Sequence, residues 1–385
     1  MKLLTLLAAL LPLAASAQTF DEIATEVVAS NPALAARTAE ASAQAMERVA
    51  ANRLEATEVG FDYKWPNHKE NGAKLSFEVT QAFDWPGAYG ARRKAARRAE
   101  QASRAALLSG RRALELQTRT LLCEVVGANR RIALLTGITS NLDSLHQKMH
   151  TLLENSEITE LDHRKVALEE IAMKQQLADA RAARAAALEQ LAGIAGGRLP
   201  AGARELSEYP AAELRPLADY LAAGSPALAQ AEAEADAAAL DARAERMGLY
   251  PGFTLGYVME RENFGDIFQG FSIGLRLPSY SAGPAAEALR LQAEGARLHA
   301  RALDAERRAS IAAAHSEAET LGRLLNDYRT ALGPDYPAVL RSALDAGQLT
   351  YADYFTELNF YLSAALEAAS VSSRLHTLLQ SLPLL

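Results

Sequence analysis

The stretch LSFEVTQAFDWPG, Leu75–Gly87, decides how this chain is read. Its apolar residues alternate: Leu75, Phe77 and Val79, then Phe83 and Trp85, with Ser76, Glu78, Thr80, Ala82 and Asp84 between them. Successive side chains of a strand point to opposite faces, so the pattern predicts a strand with one apolar and one polar face. Helix-forming sequence rich in Ala and Arg flanks it on both sides.

The stretch belongs to a tandem repeat. NPALA at Asn31–Ala35 returns as SPALA at Ser225–Ala229, an offset of 194. At the same offset VGFDYKW (Val59–Trp65) falls on FTLGYVM (Phe253–Met259), and Phe77–Phe83 falls on FSIGLRL (Phe271–Leu277). With an offset of 191, EITELD (Glu157–Asp162) matches QLTYAD (Gln348–Asp353). Ala-rich helices give single matches by chance, but not four in one order. Residues 18–194 therefore read as a first repeat with a hairpin at about 56–85, and residues 217–385 as a second with a hairpin at about 252–278. Residues 195–216, within a Gly- and Pro-rich run, read as the connector.

Each repeat reads helix, strand, loop, strand, very long helix, turn, helix. No proline occurs from Gly87 to Leu199, where Ala, Leu, Glu and Arg dominate. With a turn near Asn155–Thr159, the first long helix has about 65 residues, or roughly 100 Å at 1.5 Å per residue. Many Ala residues permit the close approach of antiparallel coiled-coil packing.

Residues 1–17, ending in Ala15-Ser16-Ala17, have the form of a signal peptide cut after Ala17. The single cysteine, Cys123, forms no internal disulfide and reads as a buried, inert thiol. A net charge of −7 and the lack of any nucleic-acid-binding motif argue against a nucleic-acid partner. No nucleophile motif, phosphate loop or cofactor signature is present, so the sequence gives no catalytic site and no cofactor.

The first hairpin puts Val59, Phe61, Tyr63, Trp65, Phe77, Val79, Phe83 and Trp85 on one face. The second puts Phe253, Leu255, Tyr257, Phe271, Ile273 and Leu275 on the corresponding face. Strands of about ten residues with an apolar outer face, a polar inner face and aromatic ends match transmembrane barrel strands. Four strands do not close a barrel and lipid tolerates no open edge, so a spanning chain must oligomerise. Three copies give twelve strands, and two give eight with little lumen.

The chain resembles the TolC family of outer-membrane efflux proteins over essentially its whole mature length. The likeness rests on the tandem repeat, the NPAL start, and hairpins ending in FDWPGAYGARRKA and LPSYSAGPAAEA. It rests also on a turn of the form Gly-x-x-[Ser/Thr]-x-x-Asp, here GQLTYAD at Gly347–Asp353. In the first repeat Ser156 replaces that Gly, which puts in doubt any partner contact there that needs a bare backbone. The compact repeats are closest to the heavy-metal-type members.

The resemblance implies a mainly α protein whose long antiparallel coiled-coil helices form an α-barrel, with four transmembrane strands per chain. As a homotrimer it would form a 12-stranded barrel in the outer membrane, continued by a helical tunnel in the periplasm. It implies an exit duct serving a periplasmic adaptor and an inner-membrane pump, in contact with outer-membrane lipids. Asp162 and Asp353 would then be periplasmic gate residues, and Ser156 and Gly347 would mark tip turns that meet the adaptor. A capping role for Asp353 stands beside the gate role. Tyr351, Tyr354 and Thr356 are candidate hydrogen-bonding neighbours.

Two further features are open to two readings each. The basic run Arg92–Arg98 is either a solvated helix face or a contact with lipid phosphates. His146 and His150, at i and i+4 with Glu154 beyond, have a spacing that can ligate zinc, but a solvated face is the expectation. The competing reading of the whole chain is a soluble periplasmic coiled-coil scaffold or adhesin, its hairpins packed on helices.

Overall fold

The computed structural model describes residues 19–65, 67, 73–155, 158–262, 265–277, 282–333 and 336–385. The signal peptide, the loop Pro66–Gly72 in all but Asn67, and Ser156 lie outside the described residues, as does the side chain of Asp162. The elements run α1 (Phe20–Ala29), α2 (Pro32–Ala51), β1 (Glu58–Lys64), β2 (Lys74–Phe83), α3 (Pro86–Glu154), α4 (Glu160–Ile194) and α5 (Leu217–Ala222). They continue with α6 (Pro226–Met247), β3 (Gly252–Glu262), β4 (Ile267–Arg276), α7 (Ala282–Leu332), α8 (Tyr336–Asp345) and α9 (Tyr351–Ser381). The protein is mainly helical with one small antiparallel sheet.

The chain divides into two compact units. The first gathers Met1–Pro32, Arg111–Ala223 and Ser310–Leu385, and its described residues are all helix and connector. Its packing follows the coiled-coil spacing predicted from composition. Leu135, Ile138, Leu142 and Met149 of α3 meet Val166, Met173, Leu177 and Ala180 of α4 and Tyr354, Leu358 and Leu362 of α9 in one core. Steps of three, four and seven residues keep these side chains on one helix face. A second core joins α1 to α3 and α4 through Ile23, Val27, Leu122, Val126 and Leu191. Cys123 is buried there, and burial pushes its thiol up to about 12, so it is protonated and inert.

Chain stops in this unit have local causes. At the end of α4, Gly197 N–H donates to Ala192 O at 2.7 Å and Gly196 N–H to Gly193 O at 3.3 Å. This is a Schellman stop, and Gly196 takes the left-handed φ of 75° that it requires.

The second unit, Ala33–Gly110 and Gly224–Ala309, holds the whole sheet. Its helices bury mostly alanine, with Ala88, Ala91, Ala95 and Ala102 on α3 and Ala286, Ala293 and Ala300 on α7. The sheet order is β1-β2-β3-β4, antiparallel throughout. The β2–β3 pair joins two hairpins far apart in sequence, and β1 and β4 are left as the edges.

Candidate functional site: a two-faced sheet and a helical turn

The register sorts the sheet's side chains, because directly paired residues share a face. Val59, Val79, Tyr257 and Phe271 form one row, and Phe61, Phe77, Met259 and Gln269 the next. Tyr63, Leu75, Arg261 and Ile267 lie toward the loops. Gln81, Leu255 and Ile273, and then Phe83, Phe253 and Leu275, lie toward the helices. The fourteen residues assigned to one apolar face include Trp65 and Trp85, which stand just past the strands. The other twelve fall on one face of the sheet.

That face is bare. Phe271 is 88% exposed, Ile273 77% and Phe61 67%. Its ends are aromatic, with Tyr63 beside Trp65 near the loops, and Phe83 on Phe253 and Trp85 on Tyr250 near the helices. Its polar groups are engaged. Tyr257 Oη donates to Gln269 Oε1 at 2.8 Å; Gln81 Nε2 donates to Glu55 O at 2.8 Å, and Gln81 Oε1 accepts from Thr57 Oγ1 at 2.7 Å. Pairing of this kind is what an apolar surrounding demands of a polar group. Nothing in the alternation announced it.

The opposite face carries Glu58, Asp62, Lys64, Lys74, Ser76, Glu78, Thr80, Thr254, Glu260, Glu262, Ser272 and Arg276, with Val258 and Phe268 the large apolar exceptions. Gly60, Gly252, Gly256, Gly270 and Gly274 all lie on it too. Lys74 Nζ sits 3.0 Å from Glu262 Oε1. At the helix end Arg276 is shared between Glu55, at 2.9 Å, and Asp84, at 2.7 Å, and Asp84 also takes Arg92 at 2.7 Å.

In the first unit, GQLTYAD becomes a stop and a start. Gln348 N–H donates to Ala343 O at 2.9 Å and Gly347 N–H to Leu344 O at 3.0 Å, a second Schellman stop with Gly347 at φ 67°. A Cβ on Gly347 would meet nothing within 4 Å, so backbone conformation rather than crowding selects glycine. Thr350 is the N-cap of α9, and its Oγ1 accepts from Asp353 N–H at 3.1 Å and donates to Asp353 Oδ2 at 2.6 Å. Asp353 is exposed and Tyr354 turns into the core, so Thr350 is its hydroxyl neighbour. Tyr351 is half-buried against the same core. In the first repeat, Thr159 O accepts from His163 N–H at 3.2 Å, as an N-cap carbonyl does.

No protein-family model matches the sequence, and no curated protein matches it. Solved structures do match. A membrane protein from Pseudomonas aeruginosa superposes with a TM-score of 0.78 at 14% identity, over 94% of this chain and 92% of that one. The CmeC outer membrane channel of Campylobacter jejuni gives 0.75 at 13% identity, over 95% of this chain and 86% of that one. The open MtrE outer membrane channel of Neisseria gonorrhoeae gives 0.69 at 15% identity, over 95% and 88%. The chain has the TolC-type outer-membrane channel fold.

Within the TolC-type fold this chain adds particulars of its own. Arg92 and Arg98 of the basic run pair with carboxylates, Asp84 at 2.7 Å and Asp236 at 3.5 Å, while Arg93, Lys94 and Arg97 are exposed. Two of the cations offered as lipid contacts are thus already partnered by protein. Among the described residues no helix is long and apolar enough to cross a membrane. His146 is half-buried against α4, with Nδ1 2.5 Å from Glu170 Oε2, rather than on a solvated face.

Proposed function

We propose that the protein is a trimeric outer-membrane exit duct, passively conducting cargo handed over by an inner-membrane pump and a periplasmic adaptor. The observation that carries this reading is the sheet, apolar and bare on one face, polar and glycine-rich on the other, with both edges open. In water such a face would collapse or aggregate. In lipid it is satisfied, provided that β4 of one copy pairs with β1 of the next.

Strands β2, β3 and β4 have ten, eleven and ten residues, the length a tilted strand needs to span a bilayer. Three four-stranded sheets make a barrel of twelve, and five glycines per chain on the inner face keep its lumen wide. The long helices would form the periplasmic tunnel. We assign Asp162 and Asp353 to its constriction and the turns at Ser156 and Gly347 to adaptor contact. Three-fold rings of carboxylates favour cations and repel anions. The duct has no chemistry of its own, and energy comes from the pump.

The test is conductance of the purified protein in a planar bilayer. Asp353→Asn keeps an oxygen for the Thr350 hydroxyl, so α9 should stay capped while cation preference and block by multivalent cations fall. Asp162→Asn should act in the same direction. A double Asn variant with an intact trimer and unaltered selectivity would return both residues to helix capping alone.

A further inference from the structure

A cationic groove of about 830 Å³ opens on the unit that carries the sheet, between α2 and the start of α3. That is room enough for a polar headgroup. Helix spacing builds it. Met46 and Val49 stand three residues apart on α2, and the chain turns once more past Ala51 to bring in Asn52 and Arg53. Arg93 and Arg97, four apart, share one side of α3. Two other charged residues of the wall are paired, Arg48 with Asp241 at 3.0 Å and Glu100 with Arg104 at 2.5 Å. Arg53, Arg93 and Arg97 are exposed, and their guanidinium groups have no hydrogen-bond or ion-pair partner among the described residues. Three like charges on one groove repel one another. Carboxylates are plentiful in a chain of net charge −7, and none is set against these three. Only an anion from outside completes the arrangement.

The chemistry around the cations selects that anion. Met46 is 73% exposed and Val49 64%, so an apolar lip borders the arginines. Asn52 Oδ1 is buried and has no hydrogen-bond partner. A guanidinium fork matches the oxygens of a phosphate. The lip suits a hydrocarbon chain, and the unpaired acceptor suits a head that bears hydroxyl or ammonium hydrogens. A free phosphate ion would use only the first of these. Position along the chain agrees. Arg93 follows Trp85 by eight residues, about 12 Å of helix, and Trp85 stacks on Tyr250 at the aromatic end of the sheet. Such aromatics mark the headgroup level, and side chains on α3 lean toward its N-terminus, which is the sheet end.

We propose that this groove binds a membrane phospholipid, its phosphate held by Arg53, Arg93 and Arg97 and its acyl chain laid along Met46 and Val49. This rests on the outer-membrane placement proposed above. A lipid held there would fasten α2 to α3 beside the sheet and fix the depth at which the duct sits.

The experiment is native mass spectrometry of the full chain in detergent, delipidated and then titrated with phosphatidylglycerol. One spectrum reads two things separately. Particle mass counts the copies, which tests the duct, and adduct mass counts the lipids, which tests the groove. The expected result is one retained lipid per chain, weakened by salt. The variant Arg53→Gln/Arg93→Gln/Arg97→Gln should lose about tenfold or more in lipid affinity. Lys94→Gln, beside Arg93 but outside the groove, should bind as the parent does. Met46→Ser/Val49→Ser should weaken the lipid and leave binding of inorganic phosphate unaltered. If the triple variant fails to assemble, Arg93→Gln alone takes its place, with a loss of about threefold. Equal loss with Lys94→Gln would show diffuse attraction, and displacement of the lipid by inorganic phosphate at equal concentration would show a free-phosphate site. Either result, or parent-like lipid binding by the arginine variant, would overturn the proposal.

Discussion

Arg276, the last residue of β4, donates from Nη2 to Asp84 Oδ1 at 2.7 Å, while Arg92 of α3 holds the other oxygen of that carboxylate at 2.7 Å. One carboxylate just past β2 thus ties the far strand of the sheet to the start of a long helix. Both arginines are partly exposed, so solvent screens each pair to well under its Coulomb energy in a dry interior. Asp84→Asn should cost about 1 kcal/mol in total, read as a lower thermal midpoint at low salt that converges with the parent at high salt. Identical midpoints at low salt would mean that the knot contributes nothing.

Lipid and water make opposite predictions for the bare face. Ile273 is 77% exposed, so in a soluble protein Ile273→Arg would be harmless. In a bilayer the same change should cost about 2–4 kcal/mol near the midplane, and outer-membrane assembly should fall. Gly270 lies on the other face with open space above it, and Gly270→Arg should assemble normally and narrow the conductance. Equal assembly of the two variants would reverse or abolish the assignment of faces.

Gly256 of β3 lies on the polar face between Thr80 of β2 and Ser272 of β4. A Cβ there would stand 2.3 Å from Ser272 Oγ, 2.8 Å from Thr80 Cγ2 and 3.3 Å from Val79 O. Gly256→Ala should cost about 1–3 kcal/mol as overpacking, and Ser272→Gly in the same chain should recover part of it. Heat stability on semi-native gels would check this, and an additive loss in the double variant would refute the contact.

The alternation of Leu75–Phe83 placed a strand and its apolar face correctly, because period two is written directly into side-chain type. Long helices were legible for the same reason, in the absence of proline and the abundance of alanine. What the sequence withheld was partnership. Gln81 and Gln269 look like flaws in the apolar face until Glu55, Thr57 and Tyr257 are seen to hold them. Asp353 read as a gate residue or a cap, and only geometry brings out Thr350 as its clasp. Arg92 stood open between a solvated face and a lipid contact because nothing in the sequence set Asp84, just past β2, against it.

The first unit should also sense pH through His376. Burial holds its imidazole below the usual histidine range, with Nδ1–H donating to Ser372 O at 2.8 Å and the ring stacked on Tyr209 at 4.2 Å. The unfolded chain takes up its proton near pH 6.5 and the folded chain only at lower pH. The stabilisation is therefore complete above that value and is lost as pH falls through the folded pKa. Melting temperature should drop between pH 7.5 and 5.5, and His376→Gln should flatten that slope. Parallel slopes would remove His376 as the cause.

Open edges on β1 and β4 make the central claim one of stoichiometry. Each edge exposes backbone groups that cost several kcal/mol apiece when unpaired in hydrocarbon, so the sheet of a single copy is not stable in a bilayer. The most direct measurement is the mass of the particle extracted from outer membranes in mild detergent, read by native mass spectrometry. Three copies of the chain are predicted, and particles of only one or two copies would contradict the twelve-stranded duct.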